Sequence, residues 1–134
     1  MGKKVFELEM KVRDYECDSQ GIVNNANYMH YFEATRHEFL ESEGISFAED
    51  HKKGIDPVVS KATLEYKSPL TGGEKFRSSL TVEKNGIRIL FHQQVHRMSD
   101  NQLCCKGTTE VVILINGKLS TGDYYDKPLR EYLD

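Results

Sequence analysis

The chain has 134 residues, three cysteines and a formal net charge of −3 carried by both signs of residue. That length reads as a single domain over residues 1–134, able to bury roughly two-thirds of its unfolded surface. No apolar run approaches the ~20 residues that cross a bilayer, and no basic stripe suits a nucleic-acid backbone. Cys17 and the adjacent Cys104 and Cys105 fit neither a disulfide framework nor a zinc knuckle, so an unanchored cytoplasmic protein with free thiols is expected.

Phe6, Leu8, Met10 and Val12 alternate with Glu7, Glu9, Lys11 and Arg13, which predicts a half-buried strand. A polar loop carrying Asp18 and Gly21 follows. Helical periodicity starts near Asn25 and continues to Glu43, with Tyr28, Tyr31, Phe32, Thr35, Phe39 and Leu40 forming one buried stripe. Gly44 is placed to cap it, and at ~1.5 Å per residue the helix is roughly 28 Å long. Ile45 to Asp56 is a polar connection with room for one short helical turn.

Strands are expected at Val58 to Lys67, Phe76 to Lys84, Ile87 to Met98 and Leu103 to Ile115. Ser68-Pro69 ends the first, Asn85-Gly86 predicts a type I′ hairpin, and Ser99-Asp100-Asn101 turns the chain again. Asn116-Gly117 opens a tail in which Pro128 to Leu133 form a short helix. One long helix against one five-stranded antiparallel sheet is an α+β domain. Its sheet edges are ready pairing surfaces, so a homo-oligomer is expected.

The chemistry concentrates in Arg13-Asp14-Tyr15-Glu16-Cys17-Asp18-Ser19-Gln20-Gly21-Ile22-Val23-Asn24-Asn25-Ala26-Asn27-Tyr28. A carboxylate, Asp18, precedes the start of a helix, where the first N–H groups have no internal partner and the dipole is positive. Such donors stabilise the oxyanion of acyl transfer. An Asx turn or helix cap is the plainer use of Asp18, and a cap the plainer use of the Asn25 side chain.

This motif and the order of elements resemble the hotdog-fold acyl-CoA thioesterases of the 4-hydroxybenzoyl-CoA thioesterase family. A second block, Tyr66-Lys67-Ser68-Pro69-Leu70-Thr71-Gly72, matches the family's Tyr, Pro and Gly spacing. The resemblance implies a hotdog fold, a five-stranded antiparallel sheet wrapped around one long helix. It implies an acyl-CoA thioester hydrolase, with Asp18 as nucleophile or general base and the helix N-terminus at Asn25 as the oxyanion site. Gly21 and Tyr28 then lie on the substrate. No cofactor is implied, coenzyme A being part of the substrate, and the family assembles its sites between subunits, as a dimer or a tetramer.

Many relatives carry His where this chain has Asn25. Some place Arg or Lys where this chain has Asn85, Gly86 and Ile87, so Lys84 and Arg88 become the candidates for the CoA phosphates. A non-catalytic acyl-thioester binding module is the alternative reading. A hotdog hydratase or dehydratase is a further one, but its His position holds Val23. His92 and His96 lie on one strand with no third ligand in sight, so no metal is expected. His30 and His37 read as surface or subunit-contact residues, and Cys17 as a small, partly buried side chain.

Overall fold

The computed structural model describes residues 4–133, so Met1, Gly2, Lys3 and Asp134 lie outside the described residues. Strand β1 spans Phe6–Lys11 and alternates in burial along its length. A 3-10 turn at Asp14–Glu16 opens the polar loop. The long helix α1 covers Asn25–Ser42, and a short helix α2 covers Phe47–Lys52. Strands β2 (Ile55–Tyr66), β3 (Lys75–Asn85), β4 (Arg88–Arg97) and β5 (Leu103–Ile115) follow. A two-residue β6 (Lys118–Leu119) and a terminal turn of helix α3 (Arg130–Leu133) complete the order.

Helix α1 stops where Gly44 takes a left-handed φ of 79°. There Gly44 N donates to Glu41 O and Ile45 N to Leu40 O, both at 3.0 Å, which is a Schellman cap. The helix buries the stripe read from its periodicity, Tyr28, Tyr31, Phe32, Thr35, Phe39 and Leu40.

The sheet is antiparallel throughout, in the order β1-β3-β4-β5-β2 with β6 on β5. It curls around α1 in the hotdog arrangement. Gly107 on β5 makes the close approach possible, because a Cβ there would stand 2.6 Å from Thr63 O and 3.1 Å from the Phe32 ring. One apolar cluster gathers at the C-terminal half of α1 around Phe39, Leu80, Phe91 and Ile113. Another gathers at its N-terminal half around Tyr28, Tyr31, Phe32, Phe76 and Val95. Buried polar pairs join helix to sheet, Thr35 Oγ1 to Ser78 Oγ at 2.6 Å and Gln93 Nε2 to Phe32 O at 3.0 Å.

The turn chemistry corrects the sequence reading. Asn85 still pairs with Arg88, so the β3–β4 loop is Gly86-Ile87. Only Gly86 has positive φ, which is a type II′ pattern. The type I′ pattern falls instead at Asn116-Gly117, whose φ values are 52° and 78°, and which turns β5 into β6. No helix among the described residues is long and apolar enough to cross a membrane.

Candidate active site

The Asp18 loop is built by its own hydrogen bonds. Asp18 N donates to Ile22 O at 2.9 Å, Gly21 N donates to Asp18 O at 3.0 Å, and Gly21 takes φ 80° to close the turn. The Asp18 carboxylate serves the same turn, with Oδ1 accepting from Gln20 N at 2.8 Å and Ile22 N at 3.4 Å. Both the Asx-turn reading and an exposed carboxylate are therefore present in one residue. Its Oδ2 has no hydrogen-bond partner among the described residues.

Helix α1 begins with four backbone donors to satisfy. Asn24 N donates to Glu16 O, Asn27 N to Asn24 O, and Ala26 N to the Asn24 side chain at 3.0 Å. The remaining donor, Asn25 N–H, has no acceptor among the described residues. Asn24, not Asn25, is the capping side chain. The helix dipole leaves this N–H at a site of positive potential.

Glu16, with 8 % of its surface exposed, was not singled out by the sequence reading, yet it joins loop to helix. Its Oε1 accepts from Arg13 N and from Tyr31 Oη, each at 2.8 Å. Its backbone O accepts from Asn27 Nδ2 at 2.8 Å as well as from Asn24 N. An acidic residue two positions before Asp18 was the available signal.

Three hollows lie along α1, from its start to its C-terminal half. A shallow one of about 240 Å³ is lined by Asn25, Ile22, Tyr28, Tyr66, Lys67 and Pro69. A groove of about 370 Å³ runs between α1 and β2, from Ala26 past Met29 and His30 to Glu33, Arg36 and Val59. Those last three residues also border a mainly apolar cavity of about 200 Å³, which reaches Phe47, Ile113, Tyr125 and Leu129. Arg36 is held at this junction by Gln93 Oε1 at 3.0 Å and Thr109 Oγ1 at 3.2 Å. Burial pushes its guanidinium below the usual range, against the pull of Glu33.

Comparison with known proteins agrees with the fold. The family model of the thioesterase-like superfamily matches residues 12–122. The chain belongs to the thioesterase-like superfamily. It is 39% identical over 97 residues to the chloroplastic acyl-acyl carrier protein thioesterase ATL3 of Arabidopsis thaliana, covering 72% of this chain and 51% of the relative. The chain spans about half the length of the Arabidopsis relatives it matches, 51% and 56%. A solved structure of a hypothetical protein from Aquifex aeolicus aligns with TM-score 0.75 at 32% identity, over 81% of this chain and 88% of that one. The DHNA-CoA thioesterase of Staphylococcus aureus aligns with TM-score 0.82 at 25% identity, over 96% and 88%.

Within this superfamily fold, the other predicted residues separate. Tyr28 is buried in the core, and its hydroxyl is pushed up to about 12, chiefly by burial. Its ring also forms part of the wall of the shallow hollow beside Asn25. Lys84 lies at the opposite end of β3 from the residues that pair with β1 near the Asp18 loop, about 30 Å from Lys75 at ~3.3 Å per residue. It pairs with Asp126 at 3.1 Å, and Arg88 pairs with Glu110 at 3.5 Å. The structure thus places Asp18 and Gly21 in the turn that precedes α1 and Asn25 at the helix's first position. Asn25, but neither Asp18 nor Gly21, lines the shallow hollow, and Lys84 and Arg88 stay at the far end of the sheet within one chain. Val23, the hydratase His position, is buried in the core. Among the described residues, no three His, Cys, Asp or Glu side chains converge as metal ligands; His92 Nε2 pairs with Glu83 at 2.7 Å.

Proposed function

We propose that the protein hydrolyses acyl thioesters to the free acid and thiol, with acyl-CoA as substrate and water as the only co-reactant. The observation that carries this reading is the pair of unsatisfied groups at one loop–helix junction, Asp18 Oδ2 and Asn25 N–H. The N–H donates to the thioester oxygen as negative charge develops there. The free oxygen of Asp18 attacks the carbonyl carbon or takes the proton of an attacking water. In either case the C–S bond breaks, the thiolate leaves, and water supplies the oxygen and proton of the products.

The hollows suggest how the substrate lies. The groove along α1 leads into an apolar cavity and suits the acyl group, while the shallow hollow by Tyr66 and Lys67 suits the thiol arm. The relatives support the chemistry, one being an acyl-acyl carrier protein thioesterase and one a DHNA-CoA thioesterase. An imidazole has no part in the reading because Asn25 stands where many relatives carry His.

The working unit is a homodimer, or a tetramer made of two dimers, paired through β2. This 12-residue strand is the sheet's last on its side and exposes Val58, Val59 and Tyr66. Unpaired edges of that length are pairing surfaces. The test of function is release of free thiol from acyl-CoAs by the wild type and by Asp18→Asn. Turnover that survives the substitution would remove Asp18 from the chemistry.

A further inference from the structure

Residues 123–133 lie beyond the 12–122 stretch that the family model matches. They nevertheless supply two walls of the apolar cavity, Tyr125 and Leu129, which are 4% and 1% exposed. The segment is fastened at several points. Tyr125 Oη donates to Asp50 Oδ2 at 2.6 Å, Lys84 Nζ to Asp126 Oδ1 at 3.1 Å, and Lys4 Nζ to Glu131 Oε1 at 2.9 Å. The Tyr132 ring stands edge-on against Phe39 with centroids 4.6 Å apart. Lys84 thus has work to do at the tail.

We propose that this C-terminal segment is the depth stop for a straight acyl chain, with Tyr125 and Leu129 setting the length accepted. The inference rests on the thioester reading above and deepens it by naming the substrate class. From Asn25 to Leu40, a cavity residue, α1 rises about 22 Å at ~1.5 Å per residue. An extended hydrocarbon of ~1.5 Å bonds advances about 1.25 Å per carbon. A chain with its carbonyl at the helix start therefore meets the stop at roughly 16 to 18 carbons. The 200 Å³ cavity holds about the last six or seven, counting ~30 Å³ for each, the volume of a water molecule. An aroyl group would fit the cavity by volume but would not reach it from Asn25.

The experiment measures binding of saturated fatty acids of about six to twenty-two carbons by calorimetry, with thiol release from the matching acyl-CoAs alongside. The wild type should bind best between about sixteen and eighteen carbons and lose about tenfold or more beyond the limit. Leu129→Ala should move that limit up by about two carbons, and Leu129→Phe, which fills the cavity, should move it down. An unchanged limit in a folded Leu129 variant, or a wild-type preference for chains under about eight carbons or for aroyl groups, would overturn the proposal. The wild-type profile decides even if a variant fails to fold. Because fatty-acid binding needs no hydrolysis, the two readings fail separately. Full turnover in Asp18→Asn would sink the catalytic assignment and leave the length limit standing.

Discussion

Tyr31 Oη donates a 2.8 Å hydrogen bond to Glu16 Oε1, tying the buried face of the long helix to the loop that carries Asp18. Burial, followed by the adjacent carboxylate, raises the Tyr31 hydroxyl far above its ordinary range, so it stays a donor. Tyr31→Phe should leave the fold intact, cost about 1–3 kcal/mol through the partly unsatisfied carboxylate, and lower kcat more than it raises KM. Loss of order in the loop reduces turnover by about 10-fold to 100-fold, as a displaced catalytic group does. Denaturant unfolding and steady-state kinetics on one preparation check both parts. A variant with unchanged kcat would confine Glu16 and Tyr31 to stability.

Asn25 should act through its backbone. Asn25→Ala is expected to retain turnover within about threefold, since Asn24 makes the cap. Asn25→Pro removes the N–H at the first helical position, where proline is tolerated. Asn24 already has φ −64° and ψ 138°, the extended form that a following proline favours. The proline variant should fold normally and lose about 10²- to 10³-fold in kcat. Equal activity in the two variants would remove the oxyanion role.

The β2 edge should govern assembly. Val58→Asp, which puts a charge on an exposed apolar strand position outside the groove, should shift the protein towards monomer in light scattering. Turnover should fall with it, because sites in this account are completed between subunits. An assembled and active Val58→Asp protein would move the interface elsewhere.

Acid should weaken the fold partly through His96. Its pKa lies below the ordinary value, first through burial and then through the positive charge of Arg77, with Glu7 opposing. The unfolded chain therefore takes up this proton first. Stability from a neutral His96 is complete above about pH 6.5 and is lost as pH falls through the depressed folded value. His96→Gln should flatten the pH dependence of the unfolding midpoint between about pH 7.5 and 5.5. An identical slope in both proteins would assign the acid sensitivity to other groups.

The fold was largely legible because it is written in periodicity. The alternation from Phe6 to Val12 and the three- and four-residue spacing from Tyr28 to Leu40 each expose one buried face, and tertiary packing had only to accept them. Turn type was harder, because the dipeptide Asn-Gly occurs twice and strand register decides which residues are central. Pairing of Asn85 with Arg88 pushes the β3–β4 turn one residue on, while Asn116-Gly117 keeps both positions in the left-handed region. In the site, Asp18 and Asn25 could be read from one continuous segment. Glu16 could not be distinguished, since its partner Tyr31 lies across the loop and its burial is tertiary. Lys84 and Arg88 are near Gly86 in sequence, but their ion pairs with Asp126 and Glu110 come from distant parts of the chain.

The central claim is that Asp18 performs thioester hydrolysis. Its most direct test is the initial rate of free-thiol release from a panel of acyl-CoAs, wild type against Asp18→Asn, with circular dichroism and light scattering on both. The account predicts turnover in the wild type and a loss of about 10²-fold or more in the variant, with fold and assembly unchanged. Equal rates in the two proteins would contradict it and place the catalytic carboxylate elsewhere.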